Sequence, residues 1–154
     1  MSVAFRREGD EEHLEPKFEI PIPPGPNLVT PRGLALIGER IAALEAELAA
    51  ETDEDRIKTA KRDLRYWQTR QITAEVVPTP AGETVEIGTS VTFRLNGKQR
   101  VLAIVGDDEA DPASGSISFS APLARALLGA EPGEVLPFGD NEEAIEVLSV
   151  VAVG

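Results

Sequence analysis

The sequence contains no cysteine and only one histidine, His13, among its 154 residues. Without cysteine the chain can form neither a disulfide framework nor a thiolate nucleophile, which fits a reducing compartment. A single histidine has no second ligand of its kind, so we expect it to have neither a metal-binding nor a catalytic role. The sequence also has no nucleophile-elbow serine and no phosphate-binding glycine loop.

Long apolar runs are missing as well. The first 30 residues contain no stretch that could serve as a signal peptide, and nothing in the sequence is long and apolar enough to span a membrane. We therefore expect a cytoplasmic protein with no membrane partner.

Basic residues are scarce relative to acidic ones. There are 15 lysines and arginines against 27 aspartates and glutamates, which gives a net charge of −12. A surface this acidic repels a phosphate backbone, so direct, sequence-specific nucleic acid binding is not expected. A basic protein surface is the partner that this charge favours.

Residues 1–29 have the composition of a tail. Charged residues dominate up to Glu19, and residues 20–26 are rich in proline, which fixes φ and favours an extended chain. We expect an extended arm that is disordered or loosely docked. A partner-binding peptide is the alternative.

Residues 30–76 have the pattern of two helices. Thr30-Pro31 supplies a capping hydroxyl followed by a proline at the first helical position. Apolar residues then recur at intervals of three and four, which is the seam of a coiled coil. Thr52 and Asp55 have the spacing of a capping box for the second helix. The expected arms are Pro31–Ala50 and Glu54–Glu75. Helices joined by so few residues form an antiparallel hairpin.

Residues 77–154 change to an alternating pattern that is typical of strands. Asn96-Gly97 predicts a tight hairpin turn, because a type I′ turn needs positive φ at both central residues. Pro122 and Gly129 frame one short helix. The predicted strands are 85–87, 91–95, 100–105, 116–120, 135–138 and 144–153. The fold class is therefore α+β: an N-terminal antiparallel coiled-coil hairpin followed by a C-terminal antiparallel sheet domain with one short helix.

Two clusters of carboxylates are the candidate functional sites. The first is the hairpin tip, residues 51–55, with Asp53, Glu54 and Asp55. The second is the acidic loop, residues 107–111. Carboxylates can hold Mg²⁺, but this ion usually keeps several waters and takes further ligands from a substrate or a second protein. We therefore predict no metal and no cofactor of the chain's own. A tip that donates carboxylates into another enzyme's metal site would suit this arrangement.

The acidic loop belongs to a longer stretch that resembles a known family. Residues 104–111 read Ile-Val-Gly-Asp-Asp-Glu-Ala-Asp, and residues 120–129 read Ser-Ala-Pro-Leu-Ala-Arg-Ala-Leu-Leu-Gly. The stretch closely resembles the C-terminal domain of the Gre transcript-cleavage factors. In these factors a strand ending Val-Gly-Asp-Asp-Glu-Ala-Asp leads to a Ser-Pro-(apolar)-Ala-Arg-Ala-Leu-(apolar)-Gly helix. Residues 29–34 are similar to the family's Val-Thr-x-x-Gly-Leu start.

The resemblance implies an FKBP-like fold for the C-terminal domain and RNA polymerase as the partner. By that resemblance the domain docks at the rim of the polymerase secondary channel, and the hairpin points down the channel toward the active site. The polymerase-binding residues that it implies are Asp107, Asp108, Glu109, Ala110, Asp111, Pro112, Ser120 and Pro122.

The hairpin departs from the family pattern. Cleavage factors carry an Asp-x-x-Glu-Asn-type tip that helps to hold the second Mg²⁺ of the polymerase. Here the tip reads Glu-Thr-Asp-Glu-Asp, and the arms look several turns shorter, as in the relatives that resemble Rnk. We therefore expect an elongation regulator without efficient transcript cleavage, and not an enzyme.

Three alternatives remain open. The first is a true transcript-cleavage factor whose tip carboxylates Asp53, Glu54 and Asp55 reach the polymerase Mg²⁺ site. The second is an FKBP-like peptidyl-prolyl isomerase, for which the domain offers no Trp or Tyr and few aromatic side chains to line a pocket. The third is a hairpin adaptor for a partner other than polymerase.

Overall fold

The structure is a computed structural model that describes residues 19–153. These residues form two compact units. The hairpin unit contains residues 19–25 and 37–73, and the sheet unit contains residues 26–36 and 74–153. His13 and most of the expected tail lie outside the described residues, and the division of the chain at residues 29 and 76 stays a prediction.

The two predicted helices are present, but the second ends at Thr73, and its predicted last residue, Glu75, lies in a short strand. Helix α1 is Pro31–Ala50 and helix α2 is Glu54–Thr73. The guanidinium of Arg40 lies 5.7 Å from the centre of the Trp67 ring. Nearer the tip, Glu47 and Thr59 line one shallow groove. From the first of these pairs to the second, the residue number rises in α1 and falls in α2, so the two arms run antiparallel.

Apolar side chains on the predicted seam form the inner face of the hairpin. Ile37 is fully buried, Ile41 and Ala60 are buried, and Trp67 is half-buried. Alanine and glutamate cover the outer side of α1, so its burial follows the interval of three and four residues.

The cap of α2 lies one residue later than the sequence analysis predicted. Asp53, not Thr52, is the capping residue: its Oδ2 accepts a hydrogen bond from the Arg56 amide at 3.0 Å. The amides of Thr52 and Asp53 both donate to Glu51 Oε1. With Glu51 holding these two amides, the chain turns before the helix starts.

Replacing Asp53 with alanine is expected to destabilise α2 by about 1 kcal/mol, because the Arg56 amide loses its acceptor. Urea unfolding followed by circular dichroism measures this change. Asp55→Ala is the control, since Asp55 lies in the same turn and interacts mainly with the helix dipole, worth a few tenths of a kcal/mol. Equal losses in the two variants would contradict the assigned cap.

The sheet unit contains two sheets. A short parallel pair joins β1 (Leu28–Val29) to β2 (Glu75–Val76). The main sheet has five strands in the order β5-β4-β3-β7-β6. Its strands are β3 (Thr89–Leu95), β4 (Lys98–Val105), β5 (Ser116–Ser118), β6 (Val135–Phe138) and β7 (Asn141–Ala152). All neighbours in it are antiparallel except β4 and β5, which run parallel.

The predicted tight turn joins β3 to β4. Asn96 and Gly97 both have positive φ, 50° and 86°, and Leu95 pairs with Lys98. This is the two-residue hairpin that the Asn-Gly pair favours. It sets the register of β4 and so places Val105 directly before the acidic loop.

The core lies between the main sheet and the short helix α3 (Pro122–Leu127). Ala124 and Leu127 of α3 are fully buried. The fully buried strand side chains on the described residues include Val91, Phe93, Ile104, Ile145 and Val147. The expected α+β fold class, with a helical hairpin and a sheet domain carrying one short helix, is thus confirmed.

The predicted strand at residues 85–87 is wrong. Val85 is buried, but it pairs with the turn after α3 rather than with the sheet. Its amide donates to Ala130 O at 2.9 Å, and its carbonyl accepts from the Gly129 amide at 2.8 Å. The alternating apolar pattern here reflects one buried residue, Val85, in a loop and not a strand.

Among the helices described, none has the length and hydropathy of a membrane span.

Candidate functional site

The acidic loop has a fixed shape that its own backbone holds. It leaves β4 at Gly106, whose carbonyl accepts a hydrogen bond from the Glu109 amide at 3.2 Å. Asp111 and Ser116 exchange two backbone hydrogen bonds across the short 3₁₀ turn Pro112–Ser114. The loop is therefore closed at both ends.

Asp107 ties the acidic loop to the chain that enters α3. Its Oδ1 accepts hydrogen bonds from the hydroxyls of Ser118 and Ser120, and these two hydroxyls lie 2.8 Å apart. Ser120 and Pro122 are exposed. The structure thus brings together the acidic loop and the Ser120–Pro122 segment, which the sequence analysis had placed in one surface.

Asp111 organises the far end of the loop. Its Oδ2 accepts a hydrogen bond from the Ser114 hydroxyl at 2.7 Å, which closes the turn after Pro112. Asp111 and Pro112 are exposed, whereas Asp108 and Ala110 are half-buried. The exposed carboxylate at this end is the one most available to a partner.

The carboxylate of Glu109 accepts a hydrogen bond from another residue of the sheet unit. Its Oε1 accepts a hydrogen bond from the hydroxyl of Thr30 at 2.6 Å. Thr30 also caps α1, because its Oγ1 accepts from the Gly33 amide at 2.9 Å. The sequence analysis assigned Thr30 only to the cap and Glu109 only to docking, and it missed this pairing. The small Gly33 leaves room for the carboxylate, but no local pattern in the sequence predicts the pairing.

A groove of about 370 Å³ lies beside this contact. Its apolar lining residues are Leu36, Ala103, Val105 and Val153. Its polar lining residues are Thr30, Arg32, Glu109, Asp111, Ser114 and Ser116. The groove therefore borders the surface that the acidic loop presents.

The hairpin tip places its carboxylates differently. Asp53 is engaged as the cap of α2, whereas Glu54 and Asp55 are exposed in its first turn. Asp55 lines the shallow groove with Glu47, Arg56 and Thr59. Within residues 19–153 no group of three or more acidic or histidine side chains is arranged to hold a metal ion. Any metal at the tip would need ligands from elsewhere.

The described end of the tail contacts α2 within the hairpin unit. Arg65 donates to both carboxylate oxygens of Glu19, with Nε to Oε1 at 3.0 Å. This hydrogen bond holds the pKa of Glu19 below its usual value, with attraction to Arg65 and Arg62 adding to it and desolvation opposing it. The same bond raises the pKa of Arg65.

We expect the contact between Glu19 and Arg65 to weaken in acid. A carboxyl with a lowered folded-state pKa stabilises the contact above its ordinary pKa, and that contribution is lost as the pH falls through the folded pKa. An NMR titration should show the pKa of Glu19 rising toward its ordinary value in Arg65→Gln and staying low in the distant control Arg125→Gln. An unchanged pKa in Arg65→Gln would contradict the contact.

Residues 79–152 match the family described as transcription elongation factor, GreA/GreB, C-term. This match covers nearly all of the sheet unit from the linker to the end of β7. The unit with the acidic loop and the short helix is therefore a GreA/GreB C-terminal domain.

Two relatives extend the similarity beyond this domain. Transcription elongation factor GreA of Thioalkalivibrio sulfidiphilus is 36% identical over 104 residues, 64% of this chain and 63% of that protein. GreB of Neisseria meningitidis serogroup A is 37% identical over 102 residues, 62% of each chain. The Gfh1 structure from Thermus thermophilus aligns with 17% identity and a TM-score of 0.38, over 82% of this chain and 99% of that one. The chain thus spans a little under two thirds of the length of these GreA and GreB relatives, and its family match is to the GreA/GreB C-terminal domain over residues 79–152.

The expectation that the chain is not an enzyme is corrected by these matches. Its relatives are GreA and GreB factors, and the family resemblance described above is to factors that stimulate transcript cleavage by polymerase. The departures on which that expectation rested, the residues of the tip and the shorter arms, lie outside the matched domain.

Proposed function

We propose that this chain is a transcription elongation factor, which binds RNA polymerase through the acidic loop and acts at the secondary channel through the hairpin tip. The single observation that carries the proposal is the fixed acidic loop within the GreA/GreB C-terminal domain. The loop and the Ser120–Pro122 segment form the docking surface.

The hydrogen bonds in the loop support docking on physical grounds. A surface that is ordered before binding loses less conformational entropy when a partner arrives. Carboxylates held in place can also match a cationic surface in geometry, which accelerates association and fixes the orientation of the complex. Asp107 and Asp111 have this property, because serine hydroxyls orient both.

The tip supplies the second part of the proposal. Glu54 and Asp55 are exposed, and Asp53 fixes the first turn of α2 beneath them. Two exposed carboxylates can complete the coordination of a Mg²⁺ ion whose other ligands come from a second protein. We propose that they change the rate at which polymerase cleaves backtracked RNA. The isomerase alternative has less support, since neither groove described above contains an aromatic residue.

Binding to core RNA polymerase tests the first part. The chain is expected to bind, with an affinity that falls as salt is added because the contact is between opposite charges. The absence of binding at low salt, where this attraction is greatest, would contradict the proposal.

Transcript cleavage in stalled, backtracked complexes tests the second part. The wild-type chain at saturation is expected to change the rate of RNA shortening, and Glu54→Gln/Asp55→Asn is expected to abolish the change while still binding polymerase. Asp53 is left intact because it caps α2. Glu45→Gln, an exposed carboxylate on α1, is the matched control. A double variant as effective as wild type would contradict the role of the tip.

A further inference from the structure

We propose that Glu109 is a positioning residue that holds the first turn of α1, in addition to any contact the acidic loop makes with polymerase. The proposal rests on the proposed function, because the position of α1 matters there through the hairpin tip. All the contacts that support it lie within the sheet unit.

The hydroxyl of Thr30 gives the first argument. Thr30 is 4% exposed, so its hydroxyl proton needs a partner inside the protein. Its oxygen accepts the Gly33 amide, which satisfies one free amide at the start of the helix. Its hydroxyl donates a hydrogen bond to Glu109 Oε1. One hydroxyl thus joins the cap of α1 to a residue 79 positions away in the acidic loop.

Close packing gives the second argument. A Cβ atom at Gly33 would lie 3.0 Å from Glu109 Oε1, and one at Gly106 would lie 2.5 Å from Leu28 O. The start of α1 and the acidic loop approach this closely only because both positions lack a side chain. Such contact leaves little freedom for the first turn to shift.

Electrostatics gives the third argument. The first turn of a 20-residue helix carries a partial positive charge, and the Glu109 carboxylate lies beside it. Removal of that carboxylate takes away an acceptor and a favourable charge together. A glutamine would keep the acceptor and lose only the charge.

Because α1 is long, a small change in the direction of its first turn, at Thr30, produces a large displacement of its far end. The helix is on the order of 30 Å long, so a change of about 10° in the direction of its first turn moves its far end by about 5 Å. A ligand contact at the tip tolerates much less. Glu109 therefore couples the acidic loop to the direction of the first turn of α1.

A different role for Glu109, as a docking charge alone, makes opposite predictions. In that case Glu109→Gln and Glu109→Ala would weaken polymerase binding equally, and Thr30→Val would have no effect on function. For a positioning residue, Thr30→Val should resemble Glu109→Ala although it removes no charge.

The experiment measures the affinity for polymerase separately from the change in RNA cleavage rate when polymerase is saturated with the chain. Polymerase binding and the change in RNA cleavage at saturation are measured for Glu109→Ala, Glu109→Gln, Thr30→Val, Thr30→Ser and the double variant Glu109→Ala/Thr30→Val. We expect Glu109→Ala and Thr30→Val to bind within about threefold of wild type and to lose about tenfold in the saturating effect, with the double variant no worse. Glu109→Gln and Thr30→Ser should keep most of the effect. Asp108→Asn is the contrast, with weaker binding and a full effect at saturation.

Hydrogen exchange of the free chain gives a readout that does not depend on polymerase. The Gly33 and Leu34 amides should exchange about tenfold faster in Glu109→Ala, and no faster in Asp140→Asn, which removes an exposed carboxylate between β6 and β7. Unchanged exchange in Glu109→Ala, or equal loss of binding in Glu109→Gln and Glu109→Ala with a silent Thr30→Val, would overturn the proposal. If the wild-type chain did not bind polymerase, the proposed function would be contradicted instead. The hydrogen-exchange rates of the free chain would then still test the role of Glu109.

Discussion

Alanine at Gly106 is expected to destabilise the sheet unit by about 3 kcal/mol. The new Cβ would lie 2.5 Å from the carbonyl oxygen of Leu28 and 3.4 Å from the Val29 Cα. Both neighbours are backbone atoms, so no side chain can rotate away. Leu28 is also held by its pairing with Glu75, and Gly106 follows the last residue of β4. The clash can be relieved only by moving one of two hydrogen-bonded segments.

Urea unfolding of the two purified chains measures this loss. Gly38→Ala in α1 is the matched control, because a Cβ there meets nothing within 4 Å. In a helix interior this change is expected to stabilise the chain by about 0.5–1 kcal/mol. If both alanine variants shifted stability in the same direction, the close approach at Gly106 would be contradicted.

Neutralising the acidic loop is expected to weaken polymerase binding by one to two orders of magnitude. The variant Asp107→Asn/Asp108→Asn/Asp111→Asn removes three charges and keeps an oxygen that can accept from the serine hydroxyls. The loop should therefore keep its shape and lose its attraction for a cationic surface, at roughly 0.5–1 kcal/mol per charge.

A second triple variant provides the control for net charge. Asp140→Asn/Glu142→Gln/Glu143→Gln removes three exposed carboxylates from the same unit, around the turn between β6 and β7. Equilibrium binding across a series of salt concentrations compares the two. The proposal requires the loop variant to lose both affinity and salt dependence more than the control. Equal losses would point to overall charge and against the loop as the docking surface.

Local signals in the sequence were enough for the elements around the site. Thr30-Pro31 marked the start of α1 at the residue where it begins, since a capping hydroxyl and a proline act within one turn. Asn96-Gly97 identified the turn before β4 for a similarly local reason. The end of β4, and with it the place of the acidic loop in the chain, followed from these signals.

Contacts between distant residues could not be predicted in the same way. The bond from Thr30 to Glu109 joins positions 79 residues apart, and nothing in either local pattern requires it. Val85 has the alternating neighbours of a strand, yet its backbone partners are Ala130 and Gly129. The tip was a smaller miss: Thr52 and Asp53 are both good caps, and the hydrogen bonds to Glu51 decided between them.

The short pair of β1 and β2 has a consequence for how this protein can vary. Leu28 pairs with Glu75 and Val29 with Val76, and flanking hydrogen bonds from Glu75 to Asn27 and from Val77 to Val29 complete the closure. Everything between these strands is an insertion whose two ends are already fastened together. The entropy of closing such an insertion rises only slowly with its length. Whole heptads can therefore be gained or lost in matched pairs from the two arms. Evolution can thus change the length of the hairpin while the C-terminal domain stays the same.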